Sequence, residues 1–208
     1  PCPGSEVRRL EQQEMKQIFM ESAVHVVARD GLEKATTKAI AAQAGLNEAY
    51  IYKCFRGKDQ LLSAAFHQED ENFAAQLRQN LPLLHLPGIS PKERVFLYWQ
   101  QIWQFVLEKP DDCIFYIRYY YSADCRANAY EEHLRQFHEL IQSVRYVFQP
   151  QVNVDILAHQ IFDTMLAFAA RVMNAEMDNS PETTRWAFEQ IYRFVEPNVQ
   201  AHFVQEEG

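Results

Sequence analysis

The sequence predicts an all-α protein, and three observations predict it. There are only six glycines in 208 residues, the long segments space their apolar residues three and four apart instead of alternating, and glycine or proline stands where those segments stop. Hydrophobic residues make up 48% of the chain, ample for a buried core.

The elements follow in order. From about Glu6 to Arg29, Met15, Ile18, Phe19, Ser22, Ala23, Val26 and Val27 form one stripe, and Gly31 stands just past the end. Thr36 is placed to cap a short second helix that buries Ile40, Ala41 and Ala44 and stops at Gly45. Asn47 is a second N-cap, opening "EAYIYKCF", and a long helix beginning at "GKDQLL" turns Leu61, Leu62, Ala65, Phe66 and Phe73 inward.

Three prolines and a glycine make "NLPLLHLPGISP" a loop. Pro91 then starts a helix with Val95, Phe96, Trp99, Ile102, Trp103 and Val106 in one stripe. "DDCIFYIRYYYSA" is aromatic all round, as a central helix would be. The next stripe, Tyr130, Leu134, Phe137, Ile141, Val144 and Phe148, is ended by Pro150. The last two long helices each carry apolar residues over more than one face. Surplus apolar surface of that kind predicts a homodimer interface, with Phe162, Leu166, Ala169 and Met173 on one helix and Phe188, Tyr192 and Val195 on the other.

Charge is unevenly placed. The net value is −8, yet residues 1–62 hold 9 of the 20 basic and 8 of the 28 acidic residues, a balance of +1 that leaves −9 for the remainder. A near-neutral head on an acidic body fits contact with a polyanion through the head alone. Cys2, Cys54, Cys113 and Cys125 have no metal or disulfide spacing. No signal-peptide pattern opens the chain and no run reaches the apolar length of a membrane span, so a cytoplasmic protein without membrane contact, metal or cofactor is expected. The opening "PCPGS" is set aside as processed or added sequence.

Two short helices joined by a glycine turn and braced by a longer one make a helix-turn-helix. On a wheel of the second short helix Ile51 and Phe55 point inward beside Cys54, while Ala49, Tyr52, Lys53 and Arg56 point away, flanked by Glu48 and Tyr50. Such a face suits a DNA major groove: Ala49 permits close approach, tyrosines and lysine reach base edges or phosphates, and Thr36 and Lys58 sit at helix N-termini that attract phosphate. The plain alternative is a packing motif in a helical domain.

The run "TTKAIAAQAGLNEAYIYKCFRGKDQLL", Thr36 to Leu62, resembles the DNA-binding domain of the TetR family of bacterial transcriptional regulators. Thr36, Ile40-Ala41, Ala44-Gly45-Leu46, Ile51-Tyr52, Phe55 and Lys58 with Leu61 carry the likeness in order and at the right spacing. The resemblance implies a three-helix DNA-binding domain over 6–62 and a helical ligand-binding and dimerisation domain over 63–208. It implies phosphate contacts from Thr36, Tyr52 and Lys58, with Lys38 helping, and places Asn47, Glu48, Ala49, Tyr50 and Lys53 nearest the bases. Glu48, Tyr50, Lys53 and Cys54 depart from the commoner residues at their positions. Glu48 can accept from a cytosine amino group or cap its own helix, and the second reading is preferred.

In the body, Phe66, Phe73, Phe96, Trp99, Trp103, Phe115, Tyr119 and Phe137 converge from four helices if the fold is that of the family. A packed core explains any one of them; together they outline a mostly apolar effector cavity. Arg118 falls on the side of Phe115 and Tyr119, where a buried charge would need Asp111, Asp112 or Asp163, or an anionic ligand group. His133 reads as a satisfied core histidine or a ligand contact. No nucleophile elbow, phosphate loop or zinc-protease motif is present, so no enzyme activity is expected. The sequence thus points to a ligand-responsive regulator, a repressor binding a near-palindromic operator as a homodimer. The rival is a helical small-molecule-binding module or enzyme with scaffold helices at its N-terminus.

Overall fold

The structure is a computed structural model describing residues 3–204, with side chains described for 11–201 and 203; Cys2 lies outside them. Among these residues eleven α-helices and three 3-10 segments form, and no strand. The described residues divide into two compact units: the chain up to Glu71 together with Asp111–His133, and Asn72–Pro110 together with the residues from Leu134 onward.

In the first unit α1 (Pro3–Asp30), α2 (Thr37–Ala44), α3 (Ala49–Cys54) and the start of α4 (Lys58–Asn80) share one core. Phe19, Ala23, Val26 and Val27 of α1 are buried, as are Ile40, Ala41, Ile51, Phe55, Leu61, Leu62 and Ala65. Each large side chain removed from water contributes about 1.5–3 kcal/mol, so this short assembly is held chiefly by its interior face. The caps set its turns. Thr36, extended at φ −81° and ψ 157°, accepts from the Ala39 N–H at 3.1 Å. Gly45 ends α2 at φ 66°, a left-handed geometry that lets the Leu46 N–H reach the Ala41 carbonyl at 3.0 Å.

Helix α6 (Pro110–Tyr120) and α7 (Ala123–Asn128) belong to this same unit. The short α7 was not anticipated; Ser122 starts it by accepting from the Cys125 N–H at 3.1 Å. Three contacts bind α6 and α7 to the head: His25 Nδ1 with Asp111 Oδ2 at 2.7 Å, Arg118 with the end of α1, and the Ser63 hydroxyl to Asn128 O at 3.3 Å.

In the second unit α5 (Pro91–Glu108) starts at Ser90, which accepts from the Glu93 N–H, and packs against α9 (Val154–Met173), α10 (Pro181–Val195) and α11 (Ala201–Val204). The segment expected as a loop contains a 3-10 turn, Leu81–His85. Helix α8 (Tyr130–Ser143) stops before the expected end at Pro150, because the Arg145 guanidinium donates to the carbonyls of Phe148, Gln149 and Pro150 and stabilises the non-helical turn. A single bridge, Phe148 with Val199, closes this end.

One expectation about membranes is corrected: α9 is long and apolar enough, by length and composition, to cross one. Its Val154, Leu157, Met165, Leu166 and Ala169 are buried in the second unit, while Ile156 is exposed.

Candidate nucleic-acid interface

The recognition surface is made by burying one side of α3. Ile51 and Phe55 are held in the core, 0% and 6% exposed, and that fixes the opposite side outward. Tyr52 is 58% exposed and Tyr50 37%, a large apolar outlay for a helix of six residues. Ala49 and Lys53 are exposed with them. Lys53 Nζ lies 4.4 Å from the Tyr50 ring centroid, a cation–π pair that joins two expected base-contacting residues into one unit.

Asn47 accepts from the Ala49 N–H at 2.9 Å and so serves the first turn of α3. Glu48 does not: it makes no capping bond to its own helix, and its Oε1 instead accepts from the Thr37 hydroxyl at 2.5 Å. The preferred reading of Glu48 as a cap is therefore corrected. Thr37, which the sequence reading passed over, ties the N-terminal ends of α2 and α3 together. Thr36 and Lys38 are exposed at the start of α2. Lys58 Nζ donates to the Leu32 carbonyl at 3.1 Å, which braces the α1–α2 connection from the first residue of α4.

Of the residues expected to line an effector cavity, Phe66, Phe73, Trp99, Trp103, Phe115, Tyr119 and His133 are buried and Phe96 and Phe137 half-buried, in three groupings. In the first unit Phe66, Phe115, Tyr119 and His133 cluster, Phe66 lying 5.1 Å from Tyr119 and Phe115 stacked on Tyr119 at 5.9 Å. In the second unit Phe137 packs with Phe73 and Phe162 at 5.9 and 6.3 Å. Also there, Trp99 stacks on Trp103 at 5.3 Å, and Phe96 meets Phe188 edge-on at 5.1 Å.

Arg118 departs from this set and is corrected. It is exposed, meets no carboxylate among the described residues, and its Nη1 donates to the carbonyls of Val27 and Ala28 at 2.6 and 3.1 Å. A cation at the last turn of α1 meets two of its terminal carbonyls, of which that of Val27 also accepts from the Gly31 N–H, and the negative end of the helix dipole. Asp111, one of its expected partners, pairs with His25.

His133 is the satisfied core histidine, 4% exposed, with Nδ1 at 2.9 Å from Asp70 Oδ1. Asp70, which the sequence pattern did not single out, is fully buried and accepts also from the Tyr116 hydroxyl at 2.5 Å. Burial pushes the Tyr116 phenol well above its ordinary value, and the neighbouring carboxylate adds to the shift. The signal was in the sequence: Asp70 falls between Phe66 and Phe73 at the spacing of their inward stripe.

The expected dimer residues are also corrected. Leu166, Ala169, Phe188 and Tyr192 are buried within their own unit, and Phe162 packs on Phe73 at 5.6 Å. Met173 and Val195 are half-buried. The apolar groups these two helices present outward are Ile156 and Trp186, 66% and 48% exposed, with Phe168 edge-on to Trp186 at 5.2 Å. Trp186 also lines a shallow groove with Arg185, Glu189 and Arg193.

Among the described residues no group of three or more His, Cys, Asp or Glu is placed to hold a metal ion. A short helix-turn-helix on an otherwise helical chain, with an aromatic and cationic recognition face, defines the class as a DNA-binding regulator fold. The model of bacterial regulatory proteins of the tetR family matches residues 19–65. The HTH-type nicotine-responsive transcriptional repressor HdnoR of Paenarthrobacter nicotinovorans is 34% identical over 73 residues, 35% of this chain and 34% of that protein. The match thus spans about a third of the curated relative's length. A TetR family transcription regulator from Marinobacter aquaeolei VT8 superposes with a TM-score of 0.68 at 20% identity, covering 89% of this chain and 97% of that one. The regulator FadR from Bacillus subtilis, in complex with stearoyl-CoA, superposes at 0.63 and 19%, covering 84% and 96%. At those identities the structures speak for the fold, and the head supplies the sequence kinship. The kinship with the tetR family of bacterial regulatory proteins is therefore carried by residues 19–65, and the rest of the chain is similar to its members in fold.

Proposed function

We propose that this protein is a cytoplasmic, ligand-responsive transcriptional repressor that binds a near-palindromic operator as a homodimer. The observation that carries the reading is the outward face of α3, where Tyr52, Tyr50 and Lys53 are exposed over a buried Ile51 and Phe55. Tyr52 with Thr36, Lys38 and Lys58 would meet phosphates, which position the protein; Tyr50 and Lys53 with Asn47 and Ala49 would meet base edges, which specify the site. The functional division we assign falls at 62/63, DNA contact before it and effector binding with dimerisation after it.

A two-fold dimer would set its recognition helices about 34–36 Å apart, in successive major grooves. Phe168 and Trp186 are the residues of α9 and α10 we assign to that interface. A small, largely apolar or aromatic effector would favour the state whose helix spacing no longer fits the operator, by its difference in affinity for the two states. The names of the relatives, one nicotine-responsive and one solved with stearoyl-CoA, support ligand response in this fold. Within the first unit, α6 is tied to α1 by His25 with Asp111 and by Arg118 with Val27 and Ala28.

The test is a salt titration of binding to DNA from the gene's own upstream region. A regulator gives a steep negative slope of log affinity against log salt and a sequence-dependent affinity. Equal, weak binding to every fragment would overturn the reading in favour of a helical binding module.

A further inference from the structure

Trp99 and Trp103 stand one turn apart on α5, 6% and 2% exposed. Their rings are stacked with centroids 5.3 Å apart and planes 20° from parallel. Neither indole Nε1–H meets an acceptor among the described residues. A buried tryptophan ordinarily finds a partner for that group, and a donor left unserved costs about 1–3 kcal/mol.

Several other side chains of the same unit avoid that cost. Phe73, Phe105, Phe137 and Phe162 fill their space with rings that need no partner. Tyr98 donates to the Leu77 carbonyl at 3.2 Å, and Thr184 to the Ser180 carbonyl at 3.0 Å. Two unserved donors on consecutive turns of one helix therefore mark a place where an acceptor arrives from outside the chain. Phe96 extends the stripe one turn earlier and meets Phe188 edge-on at 5.1 Å, so the neighbourhood is aromatic as well as donor-bearing.

Resting on the reading of the body as the effector-binding part, we propose that Trp99 and Trp103 recognise an effector with a flat apolar body and a hydrogen-bond acceptor such as a carbonyl or ring nitrogen. The indole N–H donates and cannot accept, so a ligand whose polar group only donates, such as an ammonium, is not served here.

The experiment uses the full chain labelled with 15N, whose three indole N–H resonances report Trp99, Trp103 and, as a reference outside the proposed site, Trp186. The probes are 1-acetylnaphthalene and 1-ethylnaphthalene, alike in shape, of which only the first carries an acceptor. The expected result is a downfield movement of the Trp99 or Trp103 indole proton with the acetyl probe alone. Trp99→Phe or Trp103→Phe should weaken the acetyl probe by about 5–10-fold, the worth of one hydrogen bond, and leave the ethyl probe within about twofold. Equal affinity for the two probes with unmoved indole protons, or binding of neither, overturns the proposal; the wild-type spectra decide this even if a variant fails to fold. Operator binding is measured on the same sample. Its loss with the acetyl preference intact would sink the regulator reading alone, and its presence without that preference would sink the indole site alone.

Discussion

Glu48 and Thr37 are joined by a 2.5 Å hydrogen bond, so the residue that opens the recognition helix is held by the first turn of the helix before it. A carboxylate pointed at DNA would repel phosphate, and the Thr37 hydroxyl holds this one along the protein instead. Thr37→Val should release it and weaken operator binding by about 3–10-fold, the range of one such bond. Glu48→Gln keeps an acceptor for Thr37 while removing the charge, and should tighten binding. Fluorescence anisotropy at fixed salt separates the two, and unchanged affinity in both would show that Glu48 plays no part at the DNA.

The two exposed tyrosines of α3 should fail differently. Tyr52→Phe is expected to weaken binding to all sequences alike, as loss of a backbone contact does. Tyr50→Ala removes the ring under Lys53 Nζ, so it should reorder the preference among operator variants. A double-mutant cycle between Tyr50→Ala and Lys53→Ala should show coupling, whereas additive effects would mean that the cation–π pair dissolves on DNA. Lys58→Ala should reduce the magnitude of the salt slope by about one.

Trp186→Glu should give monomers in sedimentation while the far-ultraviolet helical signal persists. Phe188→Ala, by contrast, truncates a core ring and should destabilise the fold by about 3–5 kcal/mol without a specific effect on assembly. A Trp186→Glu protein that still sediments as a dimer would place the interface elsewhere.

Alkaline pH should weaken the fold through its buried thiols. Burial raises the Cys113 and Cys125 thiols from the ordinary 9.0 to about 12. Because the folded values are raised, the folded chain holds these protons where the unfolded chain has lost them; their contribution is complete below about pH 9 and declines as pH rises toward 12. Urea unfolding midpoints from pH 8 to 11 should fall, and Cys125→Ala should flatten the decline. In the native protein at pH 8, a thiol reagent should find half-buried Cys54 before either buried one.

The head was legible because its information is local. The Thr36 cap, the Gly45 stop and the spacing of Ile51 and Phe55 are set by neighbours within one or two turns, and a wheel reads them directly. Arg118 was misjudged for the complementary reason: a wheel gives the angle of a side chain about its own helix, and Val27 and Ala28, ninety residues earlier, decide what stands there. The same limit hid which apolar side of α9 and α10 turns inward, since the two look alike until one of them is occupied by the unit's own core. Glu48 lay between two chemically sound readings, and a third partner eleven residues away took it.

Asp70 is a detent. Helix α4 carries smooth apolar side chains such as Leu62, Ala65 and Phe66, which would pack almost as well after a slip of one turn, about 5.4 Å along the axis. The carboxylate of Asp70 is met by Tyr116 from α6 and by His133 from α8 in one alignment only, and any slip strands a buried charge. Asp70→Leu should therefore leave the helices formed but loosen their alignment, seen as faster amide hydrogen exchange along α4 and α6 at unchanged helix content. Exchange as slow as in the unsubstituted chain would show that apolar packing alone sets how far the helix is threaded past its neighbours.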